Sequence, residues 1–534
     1  LQNLIHEIPI VEGDGNKFIY ILKGQNAKCY TLIKPVHEEV ADSDLENYYG
    51  TVRYYEIATQ IRRRLTMKTK LNQPRISSYK LCFKIEPEQN FFIVFGNMTI
   101  KNETVENVKY INILLYYDLK VKSIKDNNNF NLHFTQEKVS LKDEEKYYVN
   151  NTRITLDNVI KPDEQVKLYI EYDGSINGYP NIMAYVKDTI NKEFSIIRPD
   201  SHAYPIIAQP SYENILKSYN NTFTYNLIID VPNEYTAACG GILKEFEQKE
   251  NRNVFQYMSE LPTWRFDIGI ARYSIVEDRD INLKIFAFPE HKDNAENIVR
   301  KEIRRAFNLF TSLFGSYRKD NHFTVIEVKE SYGSQAGDNY ITMEEHGFGS
   351  DITKLTHLYH EIGHTWNVKT KYEVQRTRFF DEAFASYFEA LAIKKFYGIN
   401  AFKEKMEFYR QCFIKSVNED KINYDTPIID YGKYEIGCSS YTKGAWALYV
   451  LNEIVGDVVF NRIIRTFLNR FKDVEADFND FEKVVDKISN DNLNKFFSQW
   501  IYGIESSEEL YLGKDISEMI NSTNTQNIVL HSNK

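Results

Sequence analysis

The sequence predicts a multidomain α+β protein, a β-sandwich or saddle followed by a domain that is mixed in its first half and α-helical in its second. Three observations lead there. A chain of 534 residues is too long for one small core and long enough to bury two or three. Between about residues 80 and 235, β-branched and aromatic residues alternate or cluster between Asn, Asp and Gly turns, the pattern of strands. After about residue 280 the apolar residues recur at three-to-four spacing, the pattern of helices.

Taken in order, residues 1–75 form an N-terminal segment of unclear role, with a strand pair (KFIYILKG, KCYTLIKP) and a helix around DLENYYGTVRYYEIATQIRRRL. Residues 76–235 form the β domain, with strands in FFIVFGNMTI, YINILLYYDLKV, VKLYIEYDG and FTYNLIIDVP. Residues 236–515 form the second domain: INLKIFAFP and HFTVIEV are strands, and ENIVRKEIRRAFNLFTSLFG between them is a helix. Helices are then predicted over 352–367, 380–396, 401–417, 440–455, 457–471, 478–488 and 492–501, and 516–534 is a tail.

Composition narrows the function classes. An apolar content of 43% with 26% charged residues and 13 prolines is that of an ordinary globular protein, and no run approaches the roughly 20 apolar residues of a membrane span. A net charge of −9 argues against a nucleic-acid surface, which needs Lys and Arg in excess. The dense basic run QIRRRLTMKTK at 60–70 reads as a solvated helix face, with an anionic membrane surface as the minority reading. Five scattered cysteines with no CxxC pair write neither a disulfide framework nor a thiolate metal site, and read as buried thiols. The first residue is Leu rather than Met, which implies an upstream segment and leaves localisation open: extracellular, or a soluble domain of a bacterial membrane protein.

The histidines are concentrated. HLYHEIGHTWN, residues 357–367, holds three of the chain's eleven. Four residues on a helix turn through about 400°, so His360 and His364 return to within about 40° of one another on one face and both imidazoles reach one ion. The pattern is HExxH: two ligands, with Glu361 beside the fourth position that a catalytic zinc leaves to water. Downstream, FFDEAFASYFEA offers Glu382 to complete the ligand set and, seven residues on, Glu389 as an acceptor behind a ligand imidazole. The bland alternative for Glu382 is a solvated helix carboxylate; its place between Phe380 and Phe384 favours burial, and a buried carboxylate requires a cation. His357 reads as a packed or hydrogen-bonded histidine, because three ligands are already named.

HEIGHTW followed by FFDEAFASYFE resembles the HExxH(x18)E signature of the gluzincin zinc aminopeptidases of the aminopeptidase N family, peptidase family M1, whose second block reads WLNEGFAxYxE. The spacer here is 17 residues. SSYTKGAWALYVLNEIVG at 439–456 is similar to the family's YxKGAxxLxxL helix, which implies a catalytic role for Tyr441. NLIIDVPNEYTAACGGIL and FFSQWIYG resemble the strands leading to the catalytic domain and a late helix ending in Trp, so the similarity runs over roughly 76–510. It implies an N-terminal saddle, a thermolysin-like catalytic domain, one zinc ion on His360, His364 and Glu382, Glu361 as general base, Tyr441 as oxyanion donor, and a peptide substrate cut as by an aminopeptidase.

One family element is missing. The Glu of the family's GxMEN strand anchors the substrate's free amine, yet GSQAGDNYITMEE places Gln335, Ala336 and Gly337 where Met-Glu-Asn would fall. A second family acid is matched by Ile and Arg in SIIRPDSHAYPIIAQP, with Asp200 nearby. The stretch Gly333, Ser334, Gln335, Ala336 and Gly337 still suits an extended peptide by strand addition. Recognition of a free amine then needs Asp338, Glu344 or Asp200, or the protein is an endopeptidase or relaxed-specificity peptidase. Two further alternatives are a binding module without turnover, and a domain of a membrane protein resembling bacterial permease fusions, attached through a segment outside this sequence.

Overall fold

The computed structural model describes residues 73–523 except 317–321, 371–378, 432–436, 473 and 490–492, and within the first 72 residues only 11–12, 18–23 and 29–32. The chain divides into Leu1–Leu71 and Asn72–Lys534. In the first unit, Val11–Glu12, Phe18–Lys23 and Cys29–Leu32 form an antiparallel three-stranded sheet in chain order, which contains the expected strand pair. The helix expected around 44–65 and the basic run at 60–70 lie outside the described residues.

The second unit begins with a saddle of β-sheets. Its largest has seven strands in the order Ile242–Gln248, Arg252–Met258, Thr224–Pro232, Arg75–Glu86, Phe91–Lys101, Gln165–Gly174 and Lys120–Lys125. Alternation builds it: Tyr79, Leu81, Phe83 and Ile85 are buried while Lys80 and Lys84 between them are exposed, since successive side chains of a strand point to opposite faces. The sheet continues past 235, the boundary read from the sequence, because the hairpin over 242–258 pairs onto Thr224–Pro232. A four-stranded sheet (Ile206–Ile207, Val108–Tyr116, Tyr148–Ile160, Phe134–Ser140) shares its hydrophobic core.

The following sheet has five strands in the order Ser274–Asp278, Leu283–Ala287, Phe323–Val328, Tyr340–Glu344 and Gln335–Ala336. Phe323–Val328 is buried along its whole length, as a central parallel strand covered on both faces must be. Gln335–Ala336 is the edge, antiparallel to its neighbour with Gln335 opposite Thr342 and Ala336 opposite Ile341.

The helices that follow are α1 (Arg300–Phe314), α2 (Ile352–Gly363), α3 (Phe384–Tyr397), α4 (Ile399–Glu419), α5 (Gly437–Val455), α6 (Asp457–Arg470) and α7 (Phe478–Ser489), close to the spans the periodicity predicts. Among the described residues no helix is long and apolar enough to cross a membrane. Cys239 is a buried thiol as expected, whereas Cys82 is only half-buried; neither is in a disulfide.

Lys443 on helix α5 is completely buried; its Nζ donates to Ser507 Oγ at 2.7 Å, and burial, only partly offset by Glu505, pushes the amine down to about 7. The folded-state pKa is thus depressed below the roughly 10.4 of an unfolded lysine. Between those two values the unfolded chain binds the extra proton, so stability contributed at this site rises with pH and is at its lowest below about pH 7. Lys443→Met is expected to raise the melting temperature at pH 7 relative to the parent, and the difference is expected to shrink as the pH approaches 10.4, on the order of a few kcal/mol in all.

Candidate metal centre

Three elements bring the functional side chains together. Helix α2 carries His357, His360 and Glu361, and its short 3₁₀ continuation His364–Trp366 carries His364. A π-helical turn, Phe379–Ala383, precedes α3 and carries Asp381 and Glu382. Helix α5 carries Tyr441. Glycines permit the approach: a Cβ on Gly363 would stand 3.0 Å from Ala385 Cα, and one on Gly444 would stand 2.5 Å from Ala383 Cβ. The π turn is anchored from behind by Phe379, Phe380 and Phe384, whose rings pack on Phe478, Phe467 and Phe481. Sequence periodicity predicted an ordinary helix over 380–396; the wider turn sits at its first residues, a frequent place for such bulges in functional sites.

The three predicted ligands converge. Glu382 Oε2 lies 3.3 Å from His360 Nε2 and 3.4 Å from His364 Nε2, and one ligand atom from each residue falls within 4.8 Å of the others. Four-coordinate zinc has arms of about 2.0–2.1 Å, and the edge of such a tetrahedron is about 3.3–3.4 Å, so the donor set fits a divalent ion of that size. Glu382 is 2% exposed, a burial that a carboxylate tolerates only beside positive charge.

Glu361 is buried next to this triad without being part of it. Burial pushes its carboxyl up, but the hydrogen bond from His357 and the neighbouring imidazoles outweigh that and hold it below the usual glutamate range. Tyr441 lies over His360, ring centroids 5.6 Å apart and planes within 11° of parallel, so α5 delivers the tyrosine to the same site. Two imidazoles and a carboxylate converge so that they could hold a metal ion, with a second carboxylate beside them and a tyrosine over one of the rings.

Residues 348–500 match the peptidase family M1 domain. That span contains every residue just named. The chain is 21% identical over 370 residues to glutamyl aminopeptidase of Rattus norvegicus, covering 63% of this chain and 38% of the rat protein, and the Mus musculus glutamyl aminopeptidase matches in the same way at 21%. The chain thus spans well under half the length of these relatives. Among solved structures it resembles the M1 zinc metallopeptidase of Deinococcus radiodurans (TM-score 0.58, 15% identity, 83% of this chain and 94% of that one). It also resembles yeast leukotriene A4 hydrolase (TM-score 0.60, 14% identity, 81% and 68%). At these identities the likeness is one of fold, a β-rich N-terminal region followed by a helical domain.

Within the matched span, one residue that the sequence does not single out contacts a histidine of the triad. Asp381 Oδ1 is 2.5 Å from His364 Nδ1 and also accepts from Asn367 Nδ2 at 3.2 Å. Burial lowers the pKa of His364, but Asp381 and then Glu382 pull it well above the ordinary histidine range. The available signal was an acid adjacent to the ligand in FFDEAF, since ligand histidines commonly donate their second ring N–H to a carboxylate. Glu389, expected in that position, is instead held by α4: Lys405 Nζ lies 2.7 Å from Oε1, and Tyr409 OH donates to Oε2 at 2.6 Å. The group nearest the second ring nitrogen of His360 is Ser386 Oγ, at 3.5 Å from Nδ1.

At the edge strand, Gln335 faces an ionic network rather than open solvent. Its Oε1 accepts from Arg198 Nη1 (3.1 Å) and Arg265 Nη2 (2.9 Å), and its Nε2 donates to Asp200 Oδ1 (3.3 Å). Arg198 Nε donates to Asp188 at 2.8 Å, and Arg265 Nη2 also donates to Asp200 and Asp267 at 2.8 and 2.9 Å. Burial raises Asp200, yet Arg265 and Arg198 outweigh it and hold the carboxyl below its usual range. Glu344 Oε1 accepts from Gly333 N at 2.7 Å. Two of the acids considered for the amine, Asp200 and Glu344, are therefore already engaged, and Asp338 lies in the turn after Gly337.

Proposed function

We propose that the protein is a zinc-dependent metallopeptidase that holds one zinc ion and hydrolyses peptide bonds, acting on peptides as an aminopeptidase. The observation that carries this is the meeting of His360, His364 and Glu382 around a common point, with Glu361 beside it and outside the ligand set. The solved relatives include the Deinococcus enzyme bound to a Tyr-Ser-Ala substrate and the yeast hydrolase bound to bestatin.

Bound zinc acidifies a water and polarises a carbonyl. The protein's residues supply the rest. Asp381, accepting from His364 Nδ1, leaves Nε2 of that ring as the ligand atom. Glu361 takes the proton of the attacking water and returns it to the departing amine. The Tyr441 phenol donates to the developing oxyanion, a role supported by the resemblance and by its position over His360. Substrate backbone pairs with the edge around Gly333, Ser334, Gln335, Ala336 and Gly337.

A second reading, an endopeptidase or a peptidase of relaxed specificity, is favoured by the engagement of Asp200 with Arg265 and Gln335: a carboxylate matched by a buried guanidinium has little to offer a substrate ammonium. Aminoacyl fluorogenic amides compared with N-acetylated, internally quenched peptides separate the two. The aminopeptidase reading expects cleavage of the amides only, suppressed by a chelator and restored by zinc, with about one zinc per chain by metal analysis. Cleavage of the acetylated peptides supports the second reading, and a zinc-loaded protein that cleaves neither is no peptidase.

A further inference from the structure

One histidine in the cleft has no part in the ligand set and none in the chemistry above. His357 stands one helical turn before Glu361 on α2, with Nε2 3.0 Å from Glu361 Oε1. Its side chain is 44% exposed, whereas that of Glu361, which it contacts, is 5% exposed. The ring is held from two directions: His360 lies 5.8 Å away and His346 5.7 Å away, both edge to face. His346 is fixed in turn by Glu330, whose two carboxylate oxygens each lie 3.1 Å from His346 Nδ1.

We propose that His357 is a positioning residue that clamps one oxygen of Glu361 and thereby turns the other toward the reacting water. This rests on Glu361 being the general base. A glutamate carboxylate on three rotatable bonds presents either oxygen in several orientations, and a proton acceptor works only within hydrogen-bond reach of its proton. Binding Oε1 to Nε2–H removes that freedom before substrate arrives, and misplacement of a catalytic group by an ångström is enough to cost one to two orders of magnitude in rate. The imidazole remains a neighbour of the carboxylate throughout the cycle and exchanges no proton with substrate, so its loss affects the chemical step rather than substrate binding.

The test uses the zinc-loaded protein with the peptide or amide it cleaves best, in three variants. Glu361→Gln establishes whether Glu361 is the base; if that variant retains activity, the underlying reading fails and the His357 assignment with it. If Glu361→Gln is inactive, His357→Leu is expected to lower kcat by about 10-fold or more with KM little changed and zinc content equal to the parent. His357→Gln, which keeps an N–H of similar reach, is expected to recover most of that loss. Crystals of the metal-free His357→Leu protein are expected to show the Glu361 carboxylate in more than one orientation. Parent-like kcat in a properly folded His357→Leu, or equal loss in His357→Leu and His357→Gln, overturns the proposal, the second outcome by showing that only the shape of the ring counts.

Discussion

Glu361→Gln is expected to keep the metal and to lose between about 100- and 10,000-fold in kcat/KM, the range general-base catalysis contributes. The substitution is nearly isosteric, so the buried position it occupies is refilled, and the partner His357 retains an acceptor through the amide oxygen. What disappears is a group that can receive a proton. Glu361 is not among the three residues whose donor atoms converge, so metal content measured on the same preparation should equal that of the parent. The pairing of full metal occupancy with lost turnover separates a base from a ligand. An active Glu361→Gln protein refutes the assignment.

Glu382→Ala is expected to do the opposite and empty the centre. The carboxylate oxygen of Glu382 lies 3.3 and 3.4 Å from the Nε2 atoms of His360 and His364, and with it gone only the two histidines of the triad remain to hold a divalent ion. Affinity should fall by more than the roughly 10- to 100-fold that loss of an outer partner such as Asp381 costs. The protein itself should stay folded, because the turn that carries Glu382 is anchored by Phe379 and Phe380 against α6 and α7 rather than by the ion. Metal analysis after dialysis against a graded chelator, alongside a thermal melt of the metal-free proteins, checks both halves. Retention of metal by Glu382→Ala with parent-like affinity places the third ligand elsewhere.

The pairs that a sequence reveals are those whose geometry is set within one element. His360 and His364 are such a pair, since four residues of helix bring two side chains to one face wherever the helix lies. Burial of Glu382 was legible from the phenylalanines around it, which are fully buried. Which acid would stand behind a ligand imidazole was not legible. Asp381 and Glu389 were both available; in the structure Asp381 meets His364 Nδ1, while Glu389 pairs with Lys405 and Tyr409 on α4.

The network around Gln335 shows the same limit over longer distances. The sequence leads to the expectation that Gln335, Ala336 and Gly337 stand where the family's GxMEN acid would fall, with Asp200 near the place of a second acid. It could not disclose that Arg265 and Gln335, 65 and 135 residues from Asp200, would both reach that carboxylate. The chain alone therefore determined the alternation of the saddle strands, the helical register of the motif and which two histidines share a helix face, because these depend on covalent spacing and regular backbone geometry. Tertiary structure decided where the saddle sheet ends, which carboxylate meets His364 Nδ1, and which charges meet around Gln335 on the edge strand. Hydrogen bonds and ion pairs between distant segments exist only once packing has brought those segments together and removed the water that would otherwise serve each partner.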